Sequence, residues 1–155
     1  MFVLKRTSAK DPHFIELVKQ LDTYLKIIDG EDHDFYKTFN TIESLHHVVV
    51  GYLNEHAIGC GAFKIIDDCA VEIKRMYVRD DERGKKVASQ ILQELELWAR
   101  ELGFRIARLE TGSRMPDAIA FYQNKGYVRT PNYGQYVGMA NSNCFKKNLA
   151  TKDEL

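Results

Sequence analysis

Apolar positions along the chain fall into two periods, and the period sets the element each stretch predicts. Phe14, Leu17, Val18, Leu21, Leu25 and Ile28 lie three or four residues apart, the spacing of one helix face. Asp11 is placed to cap that helix, Pro12 fits its first position and Asp29-Gly30 ends it. Val87, Ala88, Ile91, Leu92, Leu95, Trp98, Ala99 and Leu102 repeat the same spacing up to Gly103. Shorter helices are predicted over Asp32 to about Thr38 and over Met115 to Lys125, the latter with Pro116 near its start. Between them lie runs rich in β-formers: Phe2-Val3-Leu4, His47 to Leu53, Ala57 to Ile66, Cys69 to Val78, Phe104 to Glu110, Tyr127 to Arg129 and Cys144 to Leu149. The turns Asn54-Glu55 and Asp67-Asp68 are short enough to join the second to fourth strands as an antiparallel meander.

The predicted order is β-α-α-β-β-β-α-β-α-β-β. A meander followed by a strand-helix-strand crossover implies an α/β fold: a mixed, mostly antiparallel central sheet with helices on both faces. Residues 1–150 read as one domain, and 151–155 as a polar tail.

The stretch from Val71 to Ala99 is the most informative. A strand ends in the cluster Asp80-Asp81-Glu82-Arg83-Gly84, and a helix begins at once with Lys85 and Lys86 at its start. A helix N-terminus carries about half a positive charge, so cations there cost roughly 0.3–1 kcal/mol. Two arrangements offset that cost. The acidic residues 80–82 can pair with the cations, or an anion can sit on the free N–H groups behind the glycine, as phosphates do.

The run VRDDERGKKVASQIL resembles the acyl-CoA-binding signature of the GNAT N-acetyltransferases, V-x-x-x-x-[QR]-G-x-G-x-[GA]-x-x-L, with Arg83, Gly84 and Ala88 in place. It differs at Lys86, where that family usually has glycine. A second block, AIAFYQNKGY, resembles the family's A-I-x-L-Y-x-x-x-G-[FY], matching at Ala118, Ile119, Tyr122, Gly126 and Tyr127, with Met115 where an asparagine is common. Correct order and spacing of two blocks is far more specific than either alone. The resemblance implies a GNAT-like acyl-CoA N-acyltransferase fold and transfer of the acetyl group of acetyl-CoA to a primary amine, by direct attack in a ternary complex.

It also implies roles. Arg83, Gly84, Lys85, Lys86, Val87 and Ala88 would hold the CoA pyrophosphate, largely through backbone. Backbone N–H groups at Met76, Tyr77 and Val78 would face the acetyl group, where the family's fourth strand bulges. Neutralising an alkyl ammonium at pH 7 costs about 4 kcal/mol, so a base is useful. Glu72, early on the strand that leads to the cofactor motif, is the first candidate, and Glu110 on the neighbouring strand is the reserve; pairing of Glu72 with Lys74 is the bland reading. Tyr122 is the implied general acid for the departing thiolate, or else a ring that packs under the sheet. The acceptor would be walled by Tyr24, Phe35, Tyr133 and Tyr136, with Glu31, Asp32, Asp34, Tyr36, Phe39 and Gln135 nearby. Aromatic rings with carboxylates suit a small cationic amine, or they are core and solvated helix start.

Composition narrows the alternatives. Twenty-two basic and 22 acidic residues give zero formal charge, which disfavours nucleic-acid binding through Lys74, Arg75, Arg79, Arg83, Lys85 and Lys86 and binding to anionic membranes. Cys60, Cys69 and Cys144 form no C-x-x-C pair, so neither a disulfide framework nor a thiolate metal site is expected. Small strand cysteines are most often buried, His46-His47 on a strand would point apart, and Lys146-Lys147 read as solvated charge. No leader or apolar run of 18 residues is expected to direct the chain to a membrane, so the C-terminal Lys152-Asp153-Glu154-Leu155 reads as coincidence and the location as cytoplasmic. A homodimer is left open. The rival reading is a non-catalytic acyl-CoA-binding module on the same fold.

Overall fold

A computed structural model of the chain describes residues 1–30 and 45–149. The helix expected over Asp32 to Thr38, and with it Glu31, Asp34, Phe35, Tyr36 and Phe39, lies outside the described residues. So does the tail from residue 150 onward.

Seven strands form one sheet: β1 (Phe2–Thr7), β2 (His47–Leu53), β3 (His56–Ile65), β4 (Ala70–Val78), β5 (Ile106–Gly112), β6 (Val128–Thr130) and β7 (Ser142–Asn148). Their spatial order is β1-β2-β3-β4-β5-β7-β6, antiparallel except for the β4–β5 pair. The helices are α1 (Pro12–Asp29), α2 (Val87–Glu101) and α3 (Pro116–Asn124). As the pattern predicts, the Asp11 carboxylate accepts from the His13 N–H at 2.9 Å with Pro12 next to it, and Gly30 closes α1. β4 begins one residue later than expected, because the Asp67 carboxylate takes the N–H groups of Cys69 and Ala70 at 2.8 and 2.9 Å and keeps Cys69 in the turn. Cys69 is therefore exposed, contrary to expectation, while Cys60 and Cys144 are buried; burial pushes the Cys60 thiol up to about 12.

Each face of the sheet carries its own core. On one, Ile91, Leu92, Leu95 and Ala99 of α2 meet Val49, Ile58, Phe63, Val71 and Ile73, and α3 adds Ala118, Ile119 and Tyr122. On the other, Phe14, Leu17 and Val18 of α1 cover Val48, Val50, Cys60 and Ala62. Two glycines of β3 let α2 come close: a Cβ at Gly61 would lie 2.9 Å from the Leu95 side chain, and one at Gly59 would lie 3.0 Å from Ile91. Glu96 is buried on the apolar face of α2, where it accepts from the Tyr127 hydroxyl at 2.8 Å and pairs with Lys147 at 2.9 Å. Lys147 is thus a structural ion-pair partner and not solvated charge.

Two departures from regularity open a cleft. β4 and β5 are paired only at Ala70–Ile106, Val71–Ala107 and Glu72–Arg108, and beyond that point their ladder stops. Opposite Gly61, β4 has an extra residue: Cys60 faces Tyr77 but Ala62 faces Lys74, so Arg75 and Met76 together span one partner. Arg75 sits there at φ 58, a left-handed conformation that an L side chain adopts at a cost. No helix among the described residues is long and apolar enough to cross a membrane.

Candidate active site

Two pockets meet along the cleft. The larger, about 530 Å³, runs from Met76, Tyr77 and Val78 at the end of β4 to Arg83, Gly84, Lys86, Val87 and Ala88, with Phe121 and Tyr122 of α3 opposite. The smaller, about 140 Å³, lies where β4 and β5 part and includes Glu72, Lys74, Arg75, Glu110 and Tyr136. Leu21, Met76, Met115, Ala118 and Tyr122 line both.

The larger pocket is organised by the start of α2. Gly84 at φ 85 and Lys86 at φ 64 turn the chain into the helix, and no side chain caps it, so its first N–H groups are left for another acceptor. A Cβ on Gly84 would meet nothing within 4 Å, so the glycine fronts open space. The acidic pairing offered for the local charge holds for Arg83 and Lys85. Arg83 pairs with Asp80 at 2.9 Å, donates to the Val78 carbonyl at 3.1 Å and stacks over Tyr24, and Lys85 pairs with Glu82 at 2.7 Å. Lys86 has no ion pair among the described residues and faces the pocket. The donor set fits a phosphate-bearing ligand: backbone N–H groups at a helix start, a glycine that allows close approach, and a cation. The missing family glycine has a visible reason to be glycine, since Lys86 adopts a left-handed conformation.

Of the residues expected around a cofactor, Lys85 alone does not line this pocket. Tyr24, expected at the acceptor, belongs to its wall, because the C-terminal half of α1 passes over the cofactor side. Met115 stands at the start of α3 and touches both pockets without capping that helix.

The smaller pocket mixes apolar and charged walls. The Tyr133 hydroxyl donates to Glu72 Oε2 at 2.6 Å, and Lys74 Nζ lies 3.7 Å from Oε1. Both charged residues are almost wholly buried; burial lowers the Lys74 pKa, against the pull of Glu72 and Glu110 in the other direction. Burial, followed by the neighbouring Glu72 carboxylate, pushes the Tyr133 and Tyr136 phenols well above the usual range. Burial likewise raises Tyr122, which remains a protonated donor at any working pH. Tyr122 packs edge-on against Phe121 and Tyr127 with its side chain between the two pockets. It is both a packed ring and a pocket residue. Lys74 and Arg75 are buried, whereas Arg79 is exposed and pairs with Asp81. His47 stacks on Phe63 and meets Trp98 edge-on, a packing role.

Sequence reasoning anticipated the pairing of Glu72 with Lys74 but missed the Tyr133 bond to Glu72 and the place of Arg75 in this pocket. A signal was available: the apolar positions Val71, Ile73, Met76 and Val78 are spaced two, three and two apart, and the slip of one residue marks the bulge.

Residues 15–127 match the Acetyltransferase (GNAT) family. An IAA acetyltransferase of Azospirillum brasilense is 27% identical over 135 residues, 86% of this chain and 88% of that protein. A Klebsiella pneumoniae structure named for acyl-CoA N-acyl transfer is 26% identical and superposes with a TM-score of 0.81 over 97% of this chain and 99% of that one. The PaiA N-acetyltransferase of Thermoplasma acidophilum, solved in complex with coenzyme A, shares the fold at 17% identity and a TM-score of 0.71, over 96% of this chain and 99% of that one.

Proposed function

The chain belongs to the acetyltransferase (GNAT) family and is an enzyme of acyl transfer from a CoA thioester; on that premise we propose that it acetylates a small primary amine by direct attack within a ternary complex. The observation that carries this reading is the shared wall of the two pockets. A thioester laid in the larger pocket from the start of α2 reaches Met76 and Tyr122, and those residues also border the pocket that holds Glu72 and Glu110.

Acetyl-CoA supplies the activated acyl group and a thiolate leaving group, and this chain's residues do the rest. The α2 start, with Gly84 and Lys86, anchors the pyrophosphate. Backbone N–H groups from Met76 to Val78, beside the β4 bulge, stabilise the negative charge that develops on the carbonyl oxygen. Glu72, directly or through water, takes the proton that the attacking amine loses; Glu110 is the second carboxylate within the pocket. As the C–N bond forms and the C–S bond breaks, the Tyr122 hydroxyl gives its proton to the thiolate. Burial keeps Tyr122 protonated and makes it a weaker acid, so its proton moves only as charge builds on the departing sulfur.

The test is a thiol-release assay with acetyl-CoA and a panel of primary amines, run on wild type and Tyr122→Phe. The variant is expected to lose about 10²-fold in kcat, the lower end of general-acid effects, with acetyl-CoA affinity within twofold of wild type. Full activity in the variant reassigns Tyr122 to packing. No turnover with any amine, despite tight acetyl-CoA binding, favours the non-catalytic module.

A further inference from the structure

The smaller pocket carries charges of both signs. Its wall holds two carboxylates, Glu72 and Glu110, and two cations, Lys74 and Arg75, with Lys74 Nζ 3.7 Å from Glu72 Oε1. The bulge explains the second pair: the extra residue in β4 turns two successive side chains toward the α1 side, where regular alternation would send one of them into the apolar core. The Arg75 side chain is 2% exposed. Its Nη2 is hydrogen-bonded to Asp22 of α1, whose side chain is 52% exposed. Its Nε is shielded from solvent and has no hydrogen-bond partner among the described residues.

An unbonded donor on a buried guanidinium and a left-handed backbone at a non-glycine residue are both unfavourable. Here they fall on one residue that borders a pocket. The Nε–H and Nη2–H edge of a guanidinium matches the two oxygens of a carboxylate or phosphonate. Asp22 contacts one of these nitrogens and comes from the solvent side, so it can move aside or share the edge.

We infer that the acceptor amine also carries an anionic group, and that Arg75, with Lys74 beside it, is the specificity-determining subsite for that group. This rests on the acetyl-transfer reading above and refines its acceptor. The amine end then lies toward Glu72 and Glu110, and the anionic end lies on Arg75. A pocket of about 140 Å³ has room for an acceptor with a few carbons between them. A dicationic amine, by contrast, would place a like charge against two buried cations. The purely cationic acceptor suggested by the aromatic and acidic residues alone is replaced by a zwitterion.

The experiment compares acceptors with and without an anionic group, with acetyl-CoA saturating: β-alanine and 3-aminopropylphosphonate against propylamine and putrescine. At least one anionic acceptor is expected to exceed both others about tenfold in kcat/KM, the discrimination that roughly 1.4 kcal/mol provides. Arg75→Met should reduce that ratio to about one through KM, while calorimetric acetyl-CoA affinity, which reports a folded protein, stays near wild type. Propylamine or putrescine matching the anionic acceptors in the wild type overturns the subsite. If no amine releases thiol, the transfer reading fails separately. The subsite is then decided by binding to the CoA-loaded protein: N-acetyl-β-alanine or N-acetyl-3-aminopropylphosphonate should bind about tenfold tighter than N-propylacetamide, and equal binding refutes it.

Discussion

The two faces of β4 make different use of the same backbone. Toward α2, Val71, Ile73 and Val78 join the larger core, and Met76 packs at its edge. Toward α1, Glu72, Lys74 and Arg75 are equally buried but charged; two are held by residues distant in sequence, Glu72 by Tyr133, 61 positions away, and Arg75 by Asp22, 53 positions away, while Lys74 lies beside Glu72 on the same strand. The apolar face fixes where the helix that carries the phosphate cradle starts. The polar face exposes nothing to solvent cheaply, because a buried charge is tolerated only with partners or a ligand. One strand thereby separates a cofactor side built from local sequence from an acceptor side built from tertiary contacts.

The sharpest way to break that division is at the cradle. Gly84→Glu puts a carboxylate where the phosphates are expected and should weaken acetyl-CoA binding by calorimetry at least about a hundredfold, roughly 2.7 kcal/mol. Gly84→Ala is the control: its Cβ meets nothing within 4 Å, so it reports only the strain of φ 85. Equal binding by wild type and a folded Gly84→Glu removes the cradle from the account.

On the polar face, Tyr133→Phe deletes one hydrogen bond to a buried carboxylate. Such bonds contribute about 1.5–3 kcal/mol, so kcat should drop roughly ten- to a hundredfold while acetyl-CoA affinity holds. A matching loss in Glu72→Gln, with no further loss in the double variant, would show that the two act as a unit. Additive losses would separate Tyr133 from the base.

Smaller effects test the local side. Lys86→Gly removes an L residue from a left-handed conformation at the helix start and should raise stability by about 1 kcal/mol in denaturant unfolding. A lower midpoint would mean that Lys86 contributes more than its backbone costs.

Asp11→Ala should cost about 1 kcal/mol through loss of the α1 cap, and Asp11→Asn much less. Burial alone would raise the Asp11 carboxyl. The His13 and Phe14 N–H groups, the Thr7 hydroxyl and Lys5 outweigh it and hold the group below 3.8. Its charged form therefore stabilises the fold above about that pH, and the contribution disappears as pH falls through the lower folded value. Asp11→Asn should flatten this acid loss in melts between pH 5 and 2; an unchanged slope would assign it to other carboxylates.

What could be read from sequence followed from interactions between near neighbours. Helix α1 was legible with both of its ends, because Asp11-Pro12 and Gly30 act within one turn. Helix α2 was legible because its buried residues recur at the helical period, and the loop before it because a glycine and a cluster of charges are local chemistry. The sequence reading passed over Glu96, which lies buried in the apolar arc of α2. Tyr127 and Lys147 reach Glu96 only across 31 and 51 positions.

Tertiary structure decided which face Arg75 takes, since a one-residue bulge, hinted at in sequence only by the two-three-two apolar spacing of β4, reverses the alternation after Ile73. It also moved Tyr24 to the cofactor side, seated Tyr133 on Glu72 and left Arg75 Nε without an acceptor among the described residues. The physical reason is the same in each case. A period of 3.6 or 2 is a property of the backbone and is written in every few residues. The pairing of a buried charge is a property of the space between elements, and that space exists only after the sheet has assembled.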